Sequence, residues 1–368
     1  MSGSTELATT SRQLDQASRH QIQALPILIL FPHNRCNCRC VMCDIWRIRQ
    51  VRELTAQDLE PHLESIRRLG VRWVVFSGGE PHLHSDLGAL AEPLRSLGIR
   101  ITLLTAGLLL ERYAVQTARI IDDVIVSLDG PAPIHNQIRG VPRAFELLAR
   151  GVRALRELRP SMEIQARSTV QKANCLHLRA TVRTAKELGL NSASFLAADL
   201  TSEAFNRPGG WERGRQFAIL PGPGEVDQLE GEIERLISEH TTDIESGFIV
   251  ENPDKLRRIV RHFRAHLGQV TAEPPRCNAP WVSAVIESDG TVRPCFFHRP
   301  IGNIRERPLV DVLNGDEALA FRQELNIASN PVCQKCVCSL YVPPESPSSP
   351  GAAVGAGASR HLGRPGLS

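Results

Sequence analysis

Ten cysteines carry most of the chemistry this sequence could perform. Cys36, Cys38, Cys40 and Cys43 crowd into the string CNCRCVMCDIW. Cys277, Cys295, Cys333, Cys336 and Cys338 fall near the other end, and Cys175 stands alone. A disulfide framework suits a small secreted domain; close cysteine pairs in a chain of this size read as metal ligands. Cys36-x3-Cys40-x2-Cys43 offers three thiolates on one loop, each able to hold one iron of a cubane 4Fe–4S cluster. The fourth iron then has no protein ligand and is open to a small molecule. The competing reading is a structural zinc ion with Cys38 as fourth donor, but such sites usually draw ligands from two separated knuckles. Cys38 is read as a non-ligand neighbour, and Cys175 as an inert buried thiol.

The second group reads Cys277-x12-Gly290-x4-Cys295, then Cys333-x2-Cys336-x-Cys338. Between Cys277 and Cys295 lies WVSAVIESDGTV, an alternating run broken by Asp289-Gly290, which predicts a β-hairpin. A helical stretch, Leu309–Leu325, with a break at Asn314-Gly315, then delivers Cys333 and Cys336. Cys277, Cys295, Cys333 and Cys336 make a four-thiolate set suited to a fully ligated 4Fe–4S cluster or to zinc, and spacing does not separate the two. Cys338 is surplus and could exchange roles with Cys336.

Positioning these groups falls to alternating short apolar runs and helical patterns. The runs are Leu25–Phe31, Val71–Phe76, Arg100–Thr105, Asp123–Leu128, Met162–Val170 and Ser192–Ala197. Leu59, Leu63 and Ile66 mark a helix between the first two, and Leu176 to Leu188 a later one. Three helices end alike, at Leu69-Gly70-Val71, Leu97-Gly98-Ile99 and Leu188-Gly189-Leu190, where glycine stops the helix and a strand begins at once. Six β-α units predict an α/β fold with a parallel sheet and right-handed crossovers, too few for a closed eight-stranded barrel. Ligands in such sheets sit at the C-terminal strand ends. The first cysteine loop falls there, as does Ser77-Gly78-Gly79-Glu80-Pro81 after the second strand. Two glycines allow backbone to approach a ligand closely, and a carboxylate can receive an ammonium group.

The remaining organisation is coarser. Residues 1–22 read as a loose arm, 23–205 as the core, 206–275 as a helical connector, 276–340 as the cysteine module and 341–368 as a disordered tail rich in Pro, Gly, Ser and Ala. In the connector Val226, Leu229, Ile233 and Leu236 mark one helix, and Leu256, Ile259, Phe263 and Leu267 a second, whose arginines read as a solvated face. With 42% hydrophobic and 23% charged residues, the chain can bury one large core plus an appendage. A net charge of +3 without a long basic run offers no electrostatic footprint for nucleic acid. No apolar run reaches the roughly 18 residues that cross a bilayer. A cytoplasmic protein with neither nucleic-acid nor membrane partners is expected.

The C-x3-C-x2-C loop after strand one resembles the radical S-adenosylmethionine (SAM) superfamily, whose core is a partial (β/α)6 barrel. There the open iron of the cluster chelates SAM and passes it the electron that splits its carbon–sulfur bond. The residue before the last cysteine is usually aromatic in that family; here it is Met42. SGGEP resembles the element that holds the amino group of SAM, which implies cofactor contacts from Gly78, Gly79 and Glu80. Thr105-Ala106-Gly107 is similar to a Thr-Asn-Gly element near SAM, with Ala106 in place of asparagine. Ser127-Leu128-Asp129-Gly130, followed by His135 and Arg139-Gly140, resembles a strand-four signature of the same family. It implies Ser127 beside the ribose or carboxylate of SAM, while Asp129 could equally be the turn residue of a strand end. Arg167 could pair with the SAM carboxylate or form a structural salt bridge.

Ile301-Gly302-Asn303-Ile304 after the hairpin resembles the SPASM and twitch auxiliary-cluster domains, and the cysteine count suits the shorter, single-cluster twitch form. The resemblance implies a SAM-binding 4Fe–4S cluster, an auxiliary 4Fe–4S cluster and an external low-potential electron donor such as flavodoxin or ferredoxin. It also implies hydrogen abstraction from a substrate carbon by a 5′-deoxyadenosyl radical, with the auxiliary cluster assisting oxidation or substrate binding. A small molecule is expected as substrate, because no separate peptide-recognition domain precedes the barrel; a SPASM-type peptide maturase is the alternative. A non-catalytic iron–sulfur or zinc protein would have no use for GGEP or for an open metal site.

Overall fold

The computed structural model describes residues 20–343. Most of the expected arm and tail, residues 1–19 and 344–368, lies outside the described residues. The described end of the arm is not loose. Ile22 is buried and its N–H donates to Asn314 Oδ1 at 2.7 Å, in the helix Leu309–Asn314. The described start of the tail is likewise tied down, with Val342 N–H donating to Asn278 Oδ1 at 3.0 Å.

Six strands follow in chain order: β1 (Ile27–His33), β2 (Trp73–Gly78), β3 (Arg100–Thr105), β4 (Asp123–Ser127), β5 (Glu163–Val170) and β6 (Ser192–Ala197). Each pairs with the next in parallel. The runs of β1, β2, β3 and β4 are buried on both faces over most of their length, as parallel strands covered by crossover helices require. β5 alternates buried Ile164, Ala166 and Val170 with polar Gln165 and Arg167. The helices turn one stripe inward; in Ala144–Leu158 the buried Leu148, Val152 and Leu155 recur at helical spacing. This is the partial (β/α)6 barrel expected.

The C-terminal module does not sit apart from it. β7 (Ser283–Ile286) pairs in parallel with β1, from Ile27↔Ser283 to Leu30↔Ile286, and so continues the core sheet. β8 (Thr291–Arg293) and β9 (Gly302–Asn303) then add antiparallel, giving the order β6-β5-β4-β3-β2-β1-β7-β8-β9. The hairpin turns at Gly290, whose φ is +85°; a Cβ there would come within 2.5 Å of Asn303 Oδ1. The helices Leu309–Asn314 and Asp316–Glu324 break at Gly315, as read from the sequence.

In the connector, Pro223–Glu239 and Pro253–His266 bury the expected apolar stripes against each other and the barrel. Arg257 and Arg264 lie on a solvated face, paired with Glu234 and Glu230 at 2.7 Å each. Arg258 departs from that expectation: it turns inward and donates to the carbonyl of Cys336.

Candidate functional site

The first cysteine loop leaves β1 and is held from two sides. Arg39 N–H donates to Arg139 O at 2.9 Å and Val41 N–H to Ile138 O at 3.0 Å, so the loop pairs like a strand with the end of the helix Ala132–Arg139. Gly140 must be glycine: its φ is +62° and a Cβ would lie 2.5 Å from Arg39 O. On the other side the loop's carbonyls accept from the connector: Val41 O from Arg215 at 2.7 Å, Asp44 O from Asn206 at 3.0 Å, and Met42 O from Arg207. Asp44 N–H donates to Phe205 O at 3.1 Å.

Asp129 is more than a turn residue. Fully buried, it accepts from Arg139 Nε at 2.7 Å and from the Thr169 N–H at 3.1 Å, and its own N–H donates to His135 Nδ1 at 3.2 Å. Arg139 Nη1 reaches past this pair and donates to Cys40 Sγ at 3.6 Å. Sequence reasoning noted Arg139-Gly140 as a signature but gave no sign of this contact, nor of the clamp from Asn206, Arg207 and Arg215.

The thiols of Cys36 and Cys40 both hydrogen-bond Cys38, which raises the Cys38 thiol far above its ordinary range. The same bond from Cys38 lowers Cys40; burial opposes this and the charge of Arg139 adds to it. Burial pushes the Cys43 thiol up to about 12. A thiol poised toward thiolate among other soft sulfur donors, on a loop locked by backbone bonds, fits an iron–sulfur cluster. Among the described residues no three His, Cys, Asp or Glu side chains gather as around a single metal ion. A cubane places a different demand on the loop, one thiolate at each of three corners.

Directly beside this loop lies the Gly78-Gly79 turn. Gly79 N–H donates to His33 O at 3.2 Å and Glu80 N–H to Arg35 O at 2.8 Å. A Cβ on Gly79 would fall 2.0 Å from Arg35 O, so glycine here is a contact requirement between the two motifs. Glu80 is bonded within the chain. Its carboxylate is fully buried and accepts from Thr105 Oγ1 at 2.8 Å, the Ala106 N–H at 2.9 Å and the His82 N–H at 3.2 Å. Burial works against its ionisation, but His82, the Ala106 amide and Thr105 outweigh it and hold the carboxyl below the usual range. Its oxygens are thus engaged by the chain itself, and Thr105 is buried with them. Gly78 and Gly79 remain half-exposed toward open space.

Ser127 and Arg167 are register partners at the ends of β4 and β5, both half-buried. Arg167 Nε donates to Ser194 Oγ at 3.5 Å. Burial lowers the guanidinium, while the nearby Cys338 and Glu251 act in the other direction. The arginine thus looks toward the C-terminal module.

In that module Cys277, Cys295, Cys333 and Cys336 line one small cavity of about 30 Å³ together with Phe297 and His298. His298 Nε2 lies 3.4 Å from Cys333 Sγ. Burial pushes Cys295 up to about 12 and Cys333 to about 11, so a bound metal must displace these protons. The four expected cysteines therefore share one cavity wall. Cys338 lies next to that cavity: the Cys336 thiol donates to its carbonyl at 3.3 Å, and its own thiol is near Arg167, Asp199 and Cys277. Cys175 is buried, its thiol donating to Lys172 O at 3.4 Å, as expected of an inert residue.

A larger cavity of about 1010 Å³ opens between the Gly78-Gly79 turn and the module, lined by Phe31, Phe205, Phe296, Phe297, Arg207 and Arg299 among others. The rings of Phe205 and Phe296 meet edge-on at 4.7 Å, and those of Phe296 and Phe297 at 5.2 Å. Phe205 and Asn206 both have left-handed backbone, at φ +62° and +61°. Strain in two successive non-glycine residues is typical of a loop held for function.

Three cysteines on a loop at the C-terminal rim of an open parallel barrel, with four more around one cavity nearby, offer donors suited to iron–sulfur clusters. Residues 30–165 match the family model of the radical SAM superfamily, and 277–337 match SPASM, an iron–sulfur cluster-binding domain. The Fe-coproporphyrin III synthase of Methanosarcina barkeri is 25% identical over 330 residues, 84% of this chain and 80% of that protein. The AdoMet-dependent heme synthase of the same organism is 33% identical over 159 residues, 42% of this chain and 45% of that protein. The structure of Streptococcus suis SuiB bound to S-adenosylmethionine shares the fold, with a TM-score of 0.61 at 16% identity over 91% of this chain and 77% of that one. The chain thus carries a radical SAM domain at residues 30–165 and a SPASM domain at residues 277–337. It is an enzyme that uses SAM and iron–sulfur clusters. Among the described residues no helix is long and apolar enough to cross a membrane.

Proposed function

We propose that Cys36, Cys40 and Cys43 hold the SAM-cleaving 4Fe–4S cluster, and that Cys277, Cys295, Cys333 and Cys336 hold an auxiliary one. When bound, the first cluster and SAM supply a 5′-deoxyadenosyl radical that takes a hydrogen atom from a substrate carbon. The chain's residues do the positioning. The half-exposed backbone of Gly78 and Gly79 offers acceptors to the ammonium group of SAM, with Glu80 bracing that turn from behind. Ser127 at its strand end meets the polar remainder of SAM. Arg167 lies between the SAM region and the auxiliary module, suited to a carboxylate of SAM or of substrate. An external low-potential donor, of flavodoxin or ferredoxin type, supplies the electron.

The observation that carries the substrate reading is the cavity of about 1010 Å³ between the two cysteine groups. Its phenylalanines offer flat apolar faces, and Arg299 offers an exposed guanidinium group at its wall. That combination suits a large, flat, carboxylated small molecule. The similarity to an Fe-coproporphyrin III synthase across both domains supports a tetrapyrrole. The test is anaerobic incubation with SAM, a strong reductant and either coproporphyrin III or its iron complex, following 5′-deoxyadenosine and the pigment's absorbance. Substrate-dependent 5′-deoxyadenosine with a changed pigment is expected. If peptides stimulate the reaction and tetrapyrroles do not, the substrate half of this reading falls and the SAM half stands.

A further inference from the structure

We propose that Arg139 sets the reduction potential of the N-terminal cluster through the hydrogen bond from its Nη1 to Cys40 Sγ, an inference that rests on reading that loop as the cluster site. The guanidinium fork is fully committed by geometry. Its Nε and Nη2 edge engages Asp129 Oδ2 at 2.7 and 2.6 Å, which leaves Nη1 aimed at the sulfur at 3.6 Å. Asp129 is itself immobilised by the Thr169 amide at 3.1 Å, and Asn174 Nδ2 donates to the Asp129 carbonyl at 3.0 Å. Arg139 cannot swing away without leaving a buried carboxylate unpaired.

Hydrogen bonds to cluster sulfurs and the net charge around them are among the main determinants of an iron–sulfur potential. A buried cation donating to a cluster thiolate favours the form that carries one more negative charge. Asp129 sits behind the guanidinium, so the sulfur meets the positive group first. Reduction takes one electron from an external one-electron donor, and Arg139 neither gains nor loses a proton.

A purely structural role for the side chain is separable from this one. The loop is pinned to this helix through backbone atoms, Arg39 N–H to Arg139 O and Val41 N–H to Ile138 O, and through the close approach at Gly140. Replacing the side chain leaves those pins in place.

The experiment is a potentiometric titration, monitored by electron paramagnetic resonance, of anaerobically reconstituted full-length protein. The variants are Arg139→Lys and the charge-neutral double variant Arg139→Met/Asp129→Asn. The N-terminal cluster is identified by the signal that changes when SAM is added. We expect its reduction to become about tenfold less favourable in the double variant, a midpoint about 59 mV lower for a one-electron couple. Lysine should give a smaller drop, because one ammonium group cannot span both Asp129 and Cys40, and the other cluster should be unmoved. Fully loaded variants with the wild-type midpoint would overturn the proposal and leave the enzyme assignment intact. If the double variant fails to hold its cluster, the lysine variant decides by the same criterion. Wild-type protein without a SAM-responsive signal would overturn the functional reading itself.

Discussion

The Thr105 hydroxyl donates to the buried carboxylate of Glu80 at 2.8 Å, strapping the turn after β2 to the end of β3. Through this bond the GGE turn is held by its neighbour strand, and the turn in turn presses Gly79 against Arg35, the residue before Cys36. Two motifs far apart in sequence become one rigid rim.

Glu80→Ala should therefore act on the fold as well as on SAM. It strands the Thr105 hydroxyl and the Ala106 amide without their acceptor, at about 1–3 kcal/mol for a buried polar group. Thermal melts and calorimetric titration with SAM should show stability and SAM affinity falling together. A Glu80→Ala protein with unchanged melting and weakened SAM binding would instead mean that the carboxylate meets the ligand directly.

Gly79→Ala should disrupt the cysteine loop, because its Cβ would lie 2.0 Å from the Arg35 carbonyl. Gly98→Ala is the control: its φ of +73° carries strain, but nothing lies within 4 Å of the added carbon. The control should cost about 1 kcal/mol, of the order of αL strain in a non-glycine residue, and load both clusters. Gly79→Ala should lose N-terminal iron. Equal iron content in the two variants would remove the contact argument.

The two cysteine groups should have separable jobs. Reconstituted protein should hold about eight irons, and about four after Cys36, Cys40 and Cys43 are replaced together by Ala. Cys333→Ala with Cys336→Ala should end substrate turnover yet spare some unproductive SAM cleavage under strong reductant, provided that the variant still melts cooperatively. Substrate conversion at the wild-type rate in that folded double variant would assign the second cluster a structural role.

Stability should depend on His262. Burial, with the nearby charges of His266, Arg258 and Lys335, pulls its pKa down to about 3, although its bond to the Ala198 carbonyl opposes them. The unfolded chain, near 6.5, then binds more protons than the folded one across that window. This contribution is fully present above about pH 6.5 and is lost as pH falls toward 3. Glu251 runs the opposite way, since burial raises it to about 7. The difference between variants therefore carries the test: His262→Gln should lose less stability than wild type between pH 7 and 5 in anaerobic urea unfolding. Parallel curves would show that His262 is solvated when folded.

Much of the molecule is legible in the chain because local rules govern it. Apolar runs broken by helix-stopping glycines specify six β-α units, and β3 and β6 fall on the residues read from the sequence. The spacing of Cys36, Cys40 and Cys43 is legible for the same reason, since candidate ligands on one short loop need no tertiary knowledge. What only the tertiary structure decided is which face each side chain turns and what it meets there. It buried Glu80 against Thr105, sent Arg167 toward the module and drew Arg139 onto Cys40. It also paired β7 with β1, roughly 250 residues apart in sequence, making the auxiliary module a continuation of the barrel. These contacts arise from long-range packing and from the need of buried charges for partners, and neither leaves a periodic trace in the sequence.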